Sequence, residues 1–357
     1  MGRRIAVVLF NLGGPDGPSS VQPFLQNLFR DPAILRTALP LRWFLSRLIS
    51  RTRAKSARAN YSMMDAGGGS PLLRETEAQA EALQAELARA LPGDEVKCFI
   101  AMRYWHPFTE EAAREVKAWG ADEVVLLPLY PQFSTTTTGS SLDAWRKAFK
   151  GQAKTVCCFP FEEHFVSAHV ERIFEAHAKA GSPEKVTLLL SAHGLPEQVI
   201  EAGDPYQWQC EALTEMIAGR VPAEWEVIGC YQSRVGPLKW IGPATESEVH
   251  RHAEAGKHIL IAPIAFVSEH IETLVELGEE YRLVAEKAGA ASYTRVEALG
   301  THPEFIRTLT GETLAALGMK GAIRSCAGGR LCPSDWTACP HAVTHQAAGQ
   351  RVNAPAA

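Results

Sequence analysis

The sequence lacks three features that would assign it to a familiar class of protein. None of its hydrophobic runs reaches the roughly eighteen uninterrupted apolar residues that predict a membrane-spanning helix. Its first residues do not follow the pattern of a secretory signal, because Arg3 and Arg4 lead directly into a strand-like run and then Gly13. The formal net charge of −4 argues against nucleic acid as a partner. We therefore expect a cytoplasmic protein.

Core-forming residues, in contrast, are plentiful. Hydrophobic residues make up 46% of the 357 positions and charged residues 21%, so the chain can bury a sizeable core. Strand-like runs alternate with amphipathic helical stretches, which is typical of a parallel sheet flanked by helices. Strands are predicted over 5–12, 96–102, 124–129, 186–190, 226–230 and 259–266, and helices over 71–91, 109–119, 206–218 and 247–255. The sequence therefore predicts an α/β fold.

The second half of the chain repeats the organisation of the first. Residues 96–134 run strand, turn, helix, strand, and residues 226–272 follow the same order. We therefore predict two similar Rossmann-like domains, each a parallel sheet flanked by helices. The first covers residues 1–160 and the second residues 161–317. A cysteine-bearing extension over 318–341 and a disordered tail over 342–357 complete the prediction.

Two aliphatic runs end in polar turns that carry histidine. Residues 186–196 read VTLLLSAHGLP, and residues 259–274 read ILIAPIAFVSEHIETL. Because ligands gather at the carboxyl ends of parallel strands, His193, His270 and Glu272 are expected at a common crevice. An imidazole facing a carboxylate suits metal binding or proton transfer. Taken singly, His193 is equally explained as a buried structural histidine and Glu272 as a solvated carboxylate.

Other strand ends predict a site for a large, flat ligand. MRYWHP places an arginine beside two aromatic residues, and LYPQFS leads into the hydroxyl-rich loop TTTTGSS. QSRVGPLKWIGP adds another arginine and an indole. NLGGP follows the first strand, but it lacks the third glycine of a dinucleotide-binding fingerprint. Aromatic walls with histidine, glutamate and a few cations suit an apolar ring with peripheral acids and a metal.

These motifs, taken in order, resemble those of ferrochelatases. NLGGP, GGGSPL, MRYWHP, LYPQFSTTTTGSS, LLLSAHGLP with the following GDPY turn, QSRVGPLKWIGP and PIAFVSEHIETLVEL carry the resemblance over about residues 5–315. It implies two Rossmann-like domains that face each other across a porphyrin cleft. It also implies a lyase of the porphyrin metal chelatase type, which inserts Fe²⁺ into protoporphyrin IX to form protohaem.

The resemblance also implies roles for individual residues. His193 and Glu272 match the catalytic pair, and Glu276 is a further candidate for the Fe²⁺ substrate, although a solvated helix face explains it equally well. The residues expected to contact the porphyrin are Leu12, Arg103, Tyr104, Tyr130, Ser134, Trp240 and His270. Leu12, where some relatives have tyrosine, favours protoporphyrin over coproporphyrin III. A non-catalytic protein that binds tetrapyrrole or metal is the alternative of a different class.

Residues 39–49, LPLRWFLSRLI, match the family's lip at the mouth of the pocket. We expect Trp43, Phe44 and Leu48 to face solvent or lipid there, with Arg42 and Arg47 toward anionic headgroups. This would give a cytoplasmic protein with peripheral contact to the inner membrane, either a monomer or a homodimer. An ordinary core-facing helix is the alternative.

Three cysteines lie in the carboxyl-terminal extension, at Cys326, Cys332 and Cys339. Some ferrochelatases hold a [2Fe–2S] cluster with three carboxyl-terminal cysteines and one internal one. Thr135 stands where the internal cysteine of the animal proteins would lie, so one of the adjacent Cys157 and Cys158 must supply the fourth ligand. We choose Cys158, which lies nearer the strand end. Zn²⁺ at the same cysteines, or with His341, is the rival.

Overall fold

The structure of the protein, a computed structural model, describes residues 2–64, 66–234 and 236–342. Its first half contains five α-helices, one π-helix and four strands. In chain order these are β1 (Arg4–Asn11), α1 (Val21–Arg30), α2 (Leu39–Ser62), α3 (Leu72–Ala90), β2 (Glu95–Met102), α4 (Thr109–Trp119), β3 (Glu123–Pro128), the first π-helix (Thr135–Gly139), α5 (Ser140–Ala148) and β4 (Lys154–Val156).

The second half continues the alternation of helices and strands. In chain order its elements are α6 (Glu163–Lys179), β5 (Val186–His193), α7 (Glu197–Glu201), α8 (Tyr206–Ala218), β6 (Glu226–Gln232), α9 (Thr245–Glu254), β7 (His258–Pro263), the second π-helix (Glu272–Glu280), α10 (Tyr281–Ala288), β8 (Ser292–Arg295), α11 (Pro303–Gly318) and β9 (Ile323–Arg324).

Each half is built on its own parallel sheet. The first sheet has the order β2-β1-β3-β4-β9 and the second the order β6-β5-β7-β8. The second sheet therefore repeats the order of the first four strands of the first sheet, and every strand pair is parallel. Central strands such as β1 and β5 are buried along almost their whole length, as sheets covered on both faces require. The prediction of two similar α/β units is confirmed.

One large apolar core joins the two halves. It combines residues of both sheets, such as Ile5 on β1 and Leu260 on β7, with residues of α3, α6, α8 and α11. Two smaller cores lie on the outer faces of the sheets, one under α4 and α5 and the other under α9 and α10. The halves are therefore held together by shared apolar burial, which positions the strand ends of both sheets.

The carboxyl-terminal chain returns to the first half. Helix α11 packs against α3, α6, β3 and β4, and the short strand β9 adds to the edge of the first sheet beside β4. The sequence pattern predicts no regular element after residue 317, and it also fails to predict β4, β8, α1, α5, α6, α7, α10 and α11. Of the predicted tail, Ala342 is described and buried, and residues 343–357 lie outside the described residues.

Candidate active site

Two neighbouring strands of the second sheet end at the centre of the site. His193 is the last residue of β5 and Gln232 the last of β6, and the two are register partners. A Cβ atom on Gly194 would lie 2.8 Å from the carbonyl oxygen of Gln232. Because the Gly194 N–H donates to that same oxygen at 2.8 Å, the chain turns here with no room for a side chain.

The second π-helix brings a carboxylate to these strand ends. Glu272 Oε1 lies 3.5 Å from His193 Nε2, and Glu272 Oε2 lies 3.2 Å from His270 Nε2. His193 Nδ1 is 2.6 Å from the Gly194 carbonyl oxygen, and His270 Nδ1 is 3.1 Å from that of Ser268. The side chains of His193 and Glu272 are 33% and 25% exposed, so both can be reached from solvent. Glu272 thus lies between two imidazoles in a half-open site.

The charges of this group shift its pKa values. Burial alone would lower the pKa of His193, but the charge of Glu272 and their hydrogen bond outweigh it and raise that pKa to about 9. Burial would likewise raise the pKa of Glu272, yet His193 and His270 hold it well below its usual range. Perturbation of this kind, in a half-open cleft, is typical of functional sites.

Glu276, one turn further along the π-helix, is surrounded by hydrogen-bond donors. Its carboxylate accepts from Gln232 Nε2 at 2.9 Å, from Ser233 N at 2.8 Å and from Tyr281 Oη at 2.7 Å, and also from the Ser233 hydroxyl. Four donors match the acceptor capacity of a carboxylate. These hydrogen bonds tie the π-helix to the end of β6, and the contact of Glu276 with the Fe²⁺ substrate stays a prediction.

Arg103 and Tyr104 converge on a buried carboxylate that sequence reasoning did not single out. Asp31 Oδ2 lies 2.8 Å from Arg103 Nη2 and accepts from the Tyr104 hydroxyl at 2.8 Å. Arg103 Nε also donates to Ser140 Oγ at 2.7 Å. The Tyr104 side chain is buried, whereas Arg103 remains partly exposed. Of this pair, Arg103 is therefore the residue placed to meet a ligand.

The other residues expected at the porphyrin fall into two groups. Leu12, Tyr130 and Trp240 are half-buried, and the Tyr130 hydroxyl and the Trp240 indole N–H have no hydrogen-bond partner within the described part of the chain. Trp240 lies beside Gly194, where an added Cβ would approach its ring to 3.3 Å. Ser134, in contrast, is buried and donates to Asp204 of the second half at 3.0 Å, so it fastens the two halves together.

The thiols of the extension gather beside β4. Gln209 Nε2 lies 3.2 Å from Cys332 Sγ and 3.6 Å from Cys158 Sγ, and the Cys326 N–H donates to the Cys158 carbonyl at 3.0 Å. A hydrogen bond between the Cys332 and Cys339 thiols lowers the pKa of Cys339. The donor set therefore has the soft thiol chemistry that iron–sulfur clusters and zinc require.

Metal-binding geometry is a separate question from donor chemistry. Across residues 2–64, 66–234 and 236–342, no three His, Cys, Asp or Glu side chains are arranged to hold a metal ion. At the thiols, the Gln209 amide contacts both Cys158 and Cys332. Among the described residues, the thiols thus lie near one another without forming the geometry of a metal site.

Helix α2 carries large apolar side chains on its outer face. Trp43, Phe44 and Leu48 are between 48% and 60% exposed, and Leu39 and Leu41 are exposed as well. The buried face is instead formed by Ser46, Ser50, Ala54 and Tyr61. The expectation that Trp43, Phe44 and Leu48 face outward is confirmed. The core-facing alternative is wrong, because other residues of α2 form its buried face. Within the described residues, no helix is both long and apolar enough to cross a bilayer.

Comparisons with known proteins decide the family. The sequence profile of the ferrochelatase family matches residues 4–316. A ferrochelatase of Hyphomonas neptunium is 76% identical over 352 residues, which cover 99% of each chain. A ferrochelatase of Caulobacter vibrioides is 59% identical over 342 residues, covering 95% of this chain and 98% of the relative. The chain belongs to the ferrochelatase family.

Solved structures agree with this assignment at the level of the fold. The chain resembles SirB from Bacillus subtilis with Fe³⁺, with a TM-score of 0.51, 13% sequence identity and coverage of 88% of this chain and 96% of that one. At this identity the likeness concerns the fold alone. As a ferrochelatase, the protein is a porphyrin metal chelatase, a lyase of haem biosynthesis.

Sequence reasoning missed two residues that shape the ferrochelatase site. Asp31 is a single aspartate before a proline, and no pattern in the sequence marks it as the partner of Arg103 and Tyr104. Gln232 lies inside the QSRVGP motif, and a signal for it did exist. It follows the predicted strand 226–230 by two residues, and the structure pairs that strand with the one that carries His193.

Proposed function

We propose that His193 and Glu272 are the catalytic pair that inserts Fe²⁺ into protoporphyrin IX to form protohaem. The observation that carries this proposal is their 3.5 Å separation at the carboxyl end of β5, with His270 on the other oxygen of Glu272. One imidazole and one carboxylate thereby face the same half-open space. Family membership supports the reaction, and this geometry supports these two side chains as its agents.

The chemistry requires two protons to leave the ring for each iron that enters. Both pyrrole N–H bonds break heterolytically, the nitrogens keep the electron pairs and donate them to Fe²⁺ as ligands, and the protons go to acceptors in the site. His193 Nδ1 faces the Gly194 carbonyl, which can only accept, so Nδ1 carries the hydrogen. With a pKa of about 9 the imidazole is protonated near neutral pH, so Nε2 must first release its proton before it can accept one from the ring or bind the incoming metal. Glu272 balances the positive charge in either case.

The flanking side chains suit a flat ring with acidic substituents. Trp240 lies next to the His193 turn, and Tyr130 and Arg103 are part of the other half. Indole and phenol rings provide stacking area, and a guanidinium pairs with carboxylates. Because Asp31 already holds one side of Arg103, that guanidinium is fixed in orientation.

An anaerobic assay with Fe²⁺ and porphyrin tests the proposed function. The purified protein should convert protoporphyrin IX to protohaem, followed by the loss of porphyrin fluorescence and the appearance of the haem spectrum. A preference for coproporphyrin III would instead move the protein to the earlier, coproporphyrin-using reaction. Porphyrin binding with no metallation of either ring would make it a non-catalytic tetrapyrrole-binding protein.

We also propose that the exposed end of α2 contacts the surface of the inner membrane from the cytoplasmic side. Leu39, Leu41, Trp43, Phe44 and Leu48 form an apolar surface there. The Arg47 guanidinium lies 4.8 Å from the centre of the Trp43 ring, which places positive charge beside the apolar patch. Apolar side chains flanked by arginines suit the boundary between headgroups and acyl chains.

We propose finally that Cys158, Cys326, Cys332 and Cys339 hold a [2Fe–2S] cluster. The gathering of these thiols beside β4 supports the donor set, and the contacts of Cys158 and Cys332 with a shared Gln209 amide favour Cys158 over Cys157. When bound, the cluster would supply iron–thiolate bonds that join the extension to the first half. The enzyme's own residues already hold the extension through β9.

Anaerobic purification with metal and sulfide analysis tests the cluster. We expect brown protein with two irons and two sulfides per chain, and Cys158→Ser should bleach it, whereas Cys230→Ser, at a buried thiol on β6, should not. Colourless protein with stoichiometric zinc would contradict the cluster and favour a zinc site. Bleaching by Cys157→Ser alone would reassign the fourth ligand.

A further inference from the structure

We infer that Gln232 is a positioning residue for metallation, whose amide fixes the second π-helix against the strand end that carries His193. This inference rests on the proposed function of His193 and Glu272. Gln232 is 1% exposed and is the register partner of His193 across the β5–β6 pair. It does not face the reacting atoms. Its effect passes through the residues that do.

The amide of Gln232 uses both of its ends. Its Nε2 donates to the Glu272 carbonyl oxygen at 3.1 Å and to Glu276 Oε2 at 2.9 Å, while its Oε1 accepts from Ser191 Oγ at 2.9 Å. A carbonyl and a carboxylate can only accept, so the two contacts on Nε2 fix the orientation of the amide. Ser191 lies on β5, two residues before His193. One side chain therefore joins the His193 strand to the backbone of Glu272.

Glu276 strengthens this connection from the helix side. Its carboxylate also accepts from the backbone N–H and the hydroxyl of Ser233, the residue that follows Gln232. The end of β6 thus forms hydrogen bonds with the π-helix at two places, the Glu272 carbonyl and the Glu276 carboxylate. Both lie within the first two turns of the helix that presents the Glu272 side chain to His193.

The chemistry of the position favours glutamine over its closest relatives. An apolar side chain would leave the Glu272 carbonyl and Glu276 without this donor in a buried setting. A glutamate would place a second negative charge against the Glu276 carboxylate. An asparagine is one methylene shorter, too short to reach Ser191 on β5 and the π-helix at the same time. The donor and acceptor needed here are supplied by a single side chain of this length.

The test compares kcat with porphyrin binding in variants of the full-length protein. Gln232→Leu should lower kcat for protohaem formation by tenfold or more, while the KM for protoporphyrin stays within about twofold, because the ring-facing residues are unchanged. Ser191→Ala removes the contact to Oε1 and the 3.0 Å contact between Ser191 Oγ and Thr245 Oγ1, but leaves both contacts of Nε2, so it should give a smaller loss of kcat with normal folding. Gln84→Leu is the matched control, since Gln84 accepts from the Cys98 N–H far from the site.

The outcomes separate this inference from the proposed function. Wild-type protein that does not metallate porphyrin would refute the function itself. Active wild type with near-normal kcat in Gln232→Leu would refute the positioning role alone. A general structural defect would make Gln232→Leu lose thermal stability and porphyrin binding together with kcat. If that happens and Ser191→Ala retains full kcat, the positioning role is also refuted.

Discussion

Arg324 and Glu312 form an ion pair that fastens the carboxyl-terminal extension to α11, and its removal has a calculable cost. Both side chains are buried, and Arg324 lies on β9, two residues before Cys326. Removing one partner of a buried pair leaves the other charge unpaired, at a cost of about 3–5 kcal/mol. At about 1.3 °C per kcal/mol for a chain of 357 residues, Arg324→Met should lower Tm by roughly 4–7 °C.

The cost of Arg324→Met should also depend on pH. Burial raises the pKa of Glu312 to about 7, although Arg324 opposes the rise. A carboxyl whose folded pKa exceeds its unfolded value binds its proton more tightly when folded, so its contribution to stability falls as pH rises from about 4.5 through 7. Without Arg324 the pKa rises further. The variant should therefore lose more stability at pH 8 than at pH 6, because at pH 6 Glu312 takes up a proton.

Thermal unfolding at both pH values, with mass-spectrometric mapping of thiol alkylation, measures this effect. We expect Cys326 to become more reactive in Arg324→Met than in wild type. The double variant Arg324→Met/Glu312→Leu should recover to within about 1 kcal/mol of wild type, because no buried charge remains. A double variant as unstable as Arg324→Met, or a loss independent of pH, would refute the reasoning.

Three further predictions concern catalysis, the lip and acid stability. Glu272→Gln should lower kcat by about 10²–10⁴-fold, the range for a lost acid–base group, with porphyrin still bound by fluorescence titration; near-normal turnover would count against its role. Serine at Trp43, Phe44 and Leu48 together should weaken co-sedimentation with anionic vesicles more than it lowers Tm, and unchanged sedimentation would remove the membrane proposal. Burial lowers the pKa of His169 to about 3. The folded protein therefore loses stability as pH falls from about 6.5, by up to about 1.4 kcal/mol per pH unit. His169→Leu should make Tm fall less steeply with decreasing pH, and an unaltered slope would exclude this histidine as the source of the loss.

Much of the fold was readable because buried parallel strands leave a strong local signature. The aliphatic runs that became β1, β5 and β7 are continuous, since helices cover both faces of each sheet. Short strands at or next to a sheet edge, such as β8 and β4, carry no such run, because three or four residues there need little hydrophobicity. Strand β9 is fixed by pairing with β4, a contact far along the chain that no local pattern predicts.

The site was readable to the extent that strand ends determine it. His193 and Glu272 follow apolar runs, and ligands bind at the carboxyl ends of parallel strands. That rule was enough to predict that the two residues lie together. The hydrogen bonds that Ser233 and Tyr281 donate to Glu276 could not be predicted from the sequence. They depend on the directions of side chains in three dimensions. For the same reason Tyr104 looked like a wall of the cleft, whereas its hydroxyl is bound to Asp31 in the interior.

The anaerobic rate of protohaem formation by His193→Ala tests the central claim most directly. The account predicts folded protein with unchanged Tm, normal quenching on protoporphyrin binding and a rate reduced to background. His250→Ala, which alters an exposed histidine on α9, should keep the wild-type rate and serves as the control. A His193→Ala protein that metallates protoporphyrin at a rate near wild type would contradict the assignment of this histidine and the mechanism built on it.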